Sequence, residues 1–231
     1  MDPVNPKAAA TSSSTSPSQG LPKPGASWPD GYGCLIFDSV DSTLSEAARQ
    51  ASDLVGPTWI LAQEQTAARG RRGRSWATPR GNFAATLMLR HGEEPASAAL
   101  RSFVASLALR RAFVAITRDE SAFALKWPND VLLNGGKVAG ILLESIGDHL
   151  AIGIGVNLAH APGADQVEAN ALRPVSIAGE TGVMITPTAF LDVLAKEYAE
   201  LEQQFRTYGF APIRTAWLAH AARLGEQIVA R

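Results

Sequence analysis

Asn134-Gly135-Gly136 lies between two apolar runs, 131–133 and 138–144, and restricts the fold more than any other feature of the chain. Asn-Gly accepts positive φ at both central positions of a tight turn, so the flanking runs are expected to pair as an antiparallel hairpin. Gly147-Asp148 repeats the signal before 149–158. Three strands joined by tight turns make an antiparallel meander, which a doubly wound parallel sheet does not contain. Further strands are expected at 34–37, 58–63, 83–90 and 122–127. Thr43 and Glu46 have capping-box spacing ahead of Leu44, Ala47, Ala48, Ala51 and Leu54, which follow the helical period. A helix is expected over 96–117. Another is expected over 187–208, burying Phe190, Leu191, Leu194, Tyr198, Leu201 and Phe205 and stopping at Gly209. A last helix is expected at 211–224. The fold class is therefore α+β, a mixed, largely antiparallel sheet flanked by helices.

A chain of 231 residues buries one good core. Residues 1–30 are mostly Ser, Pro, Ala and Thr and read as a disordered tail. The folded domain is expected over 31–224. A net charge of −1 argues against a surface built as a whole to meet nucleic acid or an anionic membrane. The single cysteine, Cys34, excludes an intramolecular disulfide and reads as a core thiol. No stretch approaches the roughly 20 apolar residues of a membrane span, and no signal peptide is evident, so a cytoplasmic protein is expected. His91, His149, His160 and His220 show no metal-ligand spacing.

The positive charge is concentrated. Arg69-Gly-Arg-Arg-Gly-Arg74 alternates guanidinium groups with glycine, so side-chain forks and backbone N–H groups can close around a phosphate or carboxylate. Lys137 follows two glycines at a strand start and reads either as a fixed ammonium beside close-approach backbone or as a solvated hairpin lysine. Gly140 either lets a flat ligand lie on the strand or marks a bulge. Asn129 and Asp130, after Pro128, suit Mg²⁺ and nucleotide contacts, or a β-turn bonded to its own side chains. Gly153-Ile-Gly155-Val-Asn157 fails as a dinucleotide fingerprint, since the third glycine is missing. Its glycines are expected to admit a neighbouring backbone or a base, with Asn157 reading an adenine edge.

Asp41-Ser42-Thr43, Glu64-Gln65 with the Arg/Gly run and Trp76, Lys126-Trp-Pro-Asn-Asp130, Lys137-Val-Ala-Gly-Ile-Leu-Leu-Glu144 and Gly153-Ile-Gly-Val-Asn157 occur in the order and spacing of the catalytic domain of biotin protein ligases. The chain resembles that family, within the biotin/lipoate protein ligase superfamily, from about Gly33 to Leu224. The resemblance implies a class II synthetase-like fold and two steps: biotin plus ATP gives biotinyl-adenylate, which then modifies one lysine of a biotin carboxyl carrier domain of a carboxylase such as acetyl-CoA carboxylase. It implies Lys137 and Arg71 as catalytic residues. Ser42, Thr43, Gln65, Arg69, Gly70, Arg71, Lys137 and Gly140 would hold biotin. Arg72, Arg74, Trp76, Lys126, Asn129, Asp130 and Asn157 would hold ATP and the adenylate, with Mg²⁺ near Asp130. The family pattern has Asn where Leu44 stands and Gly where Ala68 stands. Ligases of this family carry a small C-terminal β-barrel, of which 225–231 reads as a stub. A monofunctional enzyme without a DNA-binding repressor domain is expected, and an exposed sheet edge offers a homodimer surface. Lipoate or octanoate chemistry is the neighbouring alternative, and an RNA-binding Arg/Gly module the distant one.

Overall fold

In chain order the protein forms β1 (Gly33–Val40), α1 (Thr43–Gln50), β2 (Thr58–Gln65), β3 (Phe83–Arg90), α2 (Pro95–Ala99), α3 (Arg101–Thr117), β4 (Phe123–Lys126), β5 (Asp130–Leu133), β6 (Gly136–Ile146), β7 (His149–Val156), α4 (Ile177–Thr181), α5 (Pro187–Tyr208) and α6 (Phe210–Leu218). The structure, a computed structural model, describes residues 25, 28–74, 76, 78–163, 167 and 172–226. Most of the expected tail, and 227–231 of the expected barrel stub, lie outside the described residues. Within the expected tail, Trp28 packs on the core and donates its indole N–H to the Tyr32 carbonyl at 2.7 Å, and the Gly25 N–H donates to Asp192.

The turn signals act as expected. Asn134 and Gly135 take φ of +49° and +78° between β5 and β6, and Gly147 takes +57° between β6 and β7. With β4 these strands form an antiparallel meander. The full sheet has seven strands in the order β1-β2-β3-β7-β6-β5-β4. Only β1 and β2, linked through α1, run parallel. The expected mixed, largely antiparallel α+β fold is therefore what the chain adopts.

The two faces differ in residue size, and this difference creates the site. Along β7, Leu150, Ile152, Ile154 and Val156 enter the large core under α3, α5 and α6, while Ala151, Gly153 and Gly155 face the other side. On that second face α1 covers a smaller cluster of Phe37, Val40, Leu44, Ala47, Ile60, Ala62, Met88 and Ala151. All six residues expected on the inner side of α5 are buried. At roughly 1.5–3 kcal/mol for each large apolar side chain, this helix is a principal support of the sheet.

Three local expectations change. Thr43 and Glu46 do not form a capping box: Ser42 is the N-cap, and its side chain makes no cap hydrogen bond. Glu46 instead accepts from Arg49 and Gln50, both at 2.7 Å, while Thr43 is bonded to Gln65. The helix expected over 96–117 divides at Leu100 into α2 and α3. The last helix ends at Leu218 because the following backbone pairs with the edge of β4: Leu125 donates to the His220 carbonyl at 2.8 Å and Ala222 to the Leu125 carbonyl at 2.7 Å. Among the described residues, no helix is long and apolar enough to cross a membrane.

Candidate functional site

Cross-strand register lays a strip with almost no side chains across the α1 face. Ala62 stands opposite Ala84, Ala84 opposite Gly155, Gly155 opposite Gly140, and Gly140 opposite Asp130. Directly paired residues share a face, so the row is a flat floor ending at a carboxylate. The next row is Ile60, Thr86, Gly153 and Leu142.

Lys137 reaches this face only because of a bulge. The register of β5 and β6 shifts between Val131 and Leu132, so Val131 opposes Ala139 but Leu132 opposes Lys137, and Val138 is the extra residue. Regular pairing would send Lys137 to the core face, since it is three residues from Gly140; the inserted residue returns it to the side of Gly140 and Asp130. The Lys137 ammonium lies 2.7 Å from Asp130, with side-chain exposures of 30% and 13%, and 5.4 Å from the centre of the Trp76 ring. Lys126 approaches Asp130 from the other side at 3.6 Å. Lys137 is thus a held cation and not a solvated hairpin lysine. The bulge sits at Val138, and Gly140 belongs to the floor.

At the other end, a polar chain ties the first residue of α1 to the end of β2, the middle of β3 and the loop between those strands. The Thr86 hydroxyl donates to the Thr43 hydroxyl at 2.9 Å, and Thr43 donates to the Gln65 amide oxygen from its backbone N–H at 2.8 Å and its hydroxyl at 3.2 Å. The Gln65 amide nitrogen donates to Thr78 at 3.0 Å. Thr43, Thr78 and Thr86 are buried, and Ser42 is buried next to them. The entry turn is fixed by Asp41, which accepts from the Ser42 N–H at 2.7 Å and pairs with Arg49. Hydrogen bonding from Arg49 holds the Asp41 carboxyl below its usual range. Such a preordered set of hydroxyls and an amide suits a neutral polar group such as a urea or amide.

The Arg/Gly segment closes on itself above the floor. Trp76 donates its backbone N–H to the Ala68 carbonyl at 3.1 Å, and Gly70 donates to the Arg74 carbonyl at 2.6 Å. Arg72 and Gly73 occupy the left-handed region at φ +58° and +72°, which a tight turn of this kind requires. The loop delivers the Trp76 indole onto the glycines: a Cβ on Gly155 would stand 2.5 Å from the indole nitrogen, and one on Gly140 3.4 Å from the ring. Gly153 makes room for Leu44 in the same way, at 2.9 Å. The Gly153 and Gly155 positions therefore admit two side chains, not the neighbouring backbone or base expected of them.

The remaining expected residues have definite places. Arg69 forks onto Glu144 and also reaches Ser45, and hydrogen bonding to Glu144 raises its guanidinium pKa above the ordinary value. Arg71 reaches the Asn129 side-chain oxygen at 3.4 Å, and Arg71, Arg72 and Arg74 are exposed. Asn129 is tied to Ile141 by its side-chain amide and by its carbonyl, and so is neither an exposed ligand nor a self-bonded turn residue. Asn157 is buried, with its side-chain amide donating to the Val175 carbonyl at 3.0 Å; in this conformation it anchors the segment before α4. Among the described residues, no group of three or more His, Cys, Asp or Glu is placed to hold a metal ion. Burial raises the Cys34 thiol to about 12, which leaves it protonated and unreactive. Sequence reasoning missed Thr78, Thr86 and Ser45 and gave Glu144 no role. Thr86 had a signal, as the one polar residue inside the run 83–89.

Residues 32–157, which span all seven strands, match the biotin/lipoate A/B protein ligase family. The chain is 57% identical over 196 residues to the biotin–[acetyl-CoA-carboxylase] ligase of Paracoccus denitrificans, covering 83% of this chain and 82% of that one. It is 27% identical over 208 residues to the bifunctional ligase/repressor BirA of Bacillus subtilis, covering 85% of this chain and 62% of that one. Its structure is similar to that of the biotin protein ligase from Aquifex aeolicus in complex with biotin and ATP, with a TM-score of 0.75 and 27% identity, covering 84% of this chain and 80% of that one.

Proposed function

The chain belongs to the biotin/lipoate A/B protein ligase family, and from that premise we propose that it joins biotin to ATP as biotinyl-adenylate and passes the biotinyl group to one lysine of a biotin carboxyl carrier domain. In the first step a carboxylate oxygen attacks the α-phosphorus, a new P–O bond forms, and pyrophosphate leaves. In the second the lysine amine attacks the acyl carbon, loses a proton, and AMP departs.

The observation that carries this reading is the placement of Lys137 by the β6 bulge, at the end of a glycine floor roofed by an arginine loop. Two oxyanions brought to about 4 Å repel by about 4 kcal/mol at an effective dielectric of about 20. Preorganised cations at that point lower the barrier without reorganising during reaction. Lys137 is such a cation, and Asp130 keeps its ammonium in one place. The Thr43, Gln65 and Thr86 chain is the polar end for the ureido ring, and Ser42 lines it. Gly140 and Gly155 seat the Trp76 indole, whose ring is the flat surface offered to the ligand. Arg69, Gly70 and Arg71 close over the acid. Arg72 and Arg74 are assigned to the nucleotide phosphates, Trp76 and Lys126 to the nucleotide, and Asn129 to holding Arg71. Asn157 serves the nucleotide indirectly, by fixing the backbone at Val175.

Mg²⁺ does not fit beside Asp130 as a protein-held ion, because Lys126 and Lys137 already counter that single carboxylate. The 57% identical relative favours biotin over lipoate or octanoate as the acid and acetyl-CoA carboxylase as the owner of the carrier. The reading puts the protein in the cytoplasm with that carrier. Beyond Ile141, which Asn129 still bonds, the 142–146 end of β6 pairs among the described residues with β7 alone, which leaves an edge for a homodimer. The test is incubation with biotin, ATP and a purified carrier domain. One biotinyl group per carrier, on one lysine, is expected by mass spectrometry, with labelling reduced at least about a hundredfold in Lys137→Ala. An unmodified carrier, or a Lys137→Ala variant as fast as wild type, contradicts the proposal.

A further inference from the structure

The loop that roofs the floor is fastened at one point by a residue outside the binding machinery. Arg69 donates from Nε and Nη2 to the two oxygens of Glu144, at 3.2 and 2.8 Å, and from Nη1 to the Ser45 hydroxyl at 2.9 Å. The pair is bidentate and half exposed, with side-chain exposures of 38% and 32%. Its two anchors stand on opposite walls. Ser45 follows Leu44 on α1, and Glu144 lies two residues past Leu142 on β6, so it shares the face of Leu142 and Gly140. Arg69 therefore bridges the walls on either side of Gly153. Arg71 adds a longer reach of 3.4 Å to the Asn129 side-chain oxygen, just before β5. At the far end of the loop, Arg80 pairs with Asp38 at 2.8 Å and with Glu64 at 3.5 Å, so that end is secured independently.

We infer that Glu144 is a positioning residue, the catch on which the Arg69–Arg74 loop closes over the site. It acts through Arg69 and touches no reacting atom. Its charge keeps the roof shut while an intermediate is held, and that second half of the inference rests on the ligase reading. An exposed ion pair is worth little and is screened by salt, so the catch is weak enough to open in every turnover.

The test uses Glu144→Gln in the full chain and two readouts. Trypsin applied without ligand cuts after the loop arginines only when the loop opens. The variant is expected to be cut there about 1.5-fold to fivefold faster than wild type, the range set by an exposed pair. Added salt should speed cutting of the wild type toward the variant's rate and leave the variant nearly unchanged, and Glu144→Asp should fall between them. Equal cutting at low salt overturns the catch. The second readout is release of biotinyl-adenylate formed in place from biotin and ATP. A release rate raised by a similar factor is expected. A wild-type release rate in a variant whose loop is cut faster would reduce Glu144 to a structural contact and overturn its positioning role. A wild-type chain that forms no adenylate yet shows the tryptic difference would overturn the ligase reading and uphold the catch.

Discussion

Gly155 shows how much one missing side chain can carry. Its neighbours in the row, Ala84 and Gly140, are also small, and the Trp76 indole occupies the space above it. A methyl group there would stand 2.5 Å from the indole nitrogen, inside any tolerable contact, so the indole would have to shift. Gly155→Ala is therefore expected to fold normally, with an unfolding midpoint within a few degrees of wild type, and to lose on the order of tenfold to a hundredfold in adenylate formation as the floor and its cover are displaced. Wild-type rates in pyrophosphate exchange would show the Trp76 contact to be incidental. The glycines at 153 and 155 were legible as close-approach positions. What approaches them was not, because Leu44 and Trp76 arrive from distant parts of the chain and only the sheet register brings them there. Likewise the sequence marked Lys137 but not its direction, since a bulge between β5 and β6 reverses the facing of every residue before it.

At the scale of elements, the best-read parts are those whose signals are local. The Asn-Gly turn, α5 with its N-cap Thr186, and β3 are bounded as periodicity and turn chemistry require. The parts misread were decided by tertiary competition. Thr43 and Glu46 had the spacing of a capping box, but Gln65 and Arg49 took their bonds. The packing of α3 on α5 has its own signature. Arg101 is buried between Glu202 at 2.9 Å and Glu93 at 2.8 Å, and lies 5.1 Å from the Phe205 ring. Removing one partner of such a buried cation is costly, typically about 3–5 kcal/mol. Hydrogen bonding to Arg101 holds the Glu93 carboxyl below its ordinary 4.5. The folded value is the lower one, so the stability Glu93 contributes is complete above pH 4.5 and is lost as pH falls through the folded value. Thermal melts of wild type and Glu93→Gln should accordingly differ most at neutral pH and converge on acidification. A difference that stays constant from pH 7 down to about pH 3 would contradict that account.

Over the whole molecule, the sheet separates support from chemistry. One face packs α3, α5 and α6 on large aliphatic residues, which stiffens the strands; the other is nearly bare and lies under a basic loop and the start of α1. This asymmetry lets a near-neutral chain carry the proposed anion-handling site, since the Arg/Gly loop and Lys137 lie by the flat floor. Fold class and family were legible in the sequence because five motifs keep their order across the sheet. The pairs Arg69 to Glu144 and Thr86 to Thr43 join residues far apart in the chain, and Lys137 meets Asp130 across one hairpin only through the bulge between β5 and β6. Activation of biotin with ATP is the role proposed for this bare face. It is tested most directly by ATP–pyrophosphate exchange on the 231-residue chain, offering biotin, lipoate and octanoate in turn with no carrier present. Exchange with biotin and background rates with the other two acids is the expected result. Exchange with lipoate or octanoate in preference to biotin, or with none of the three, would contradict it.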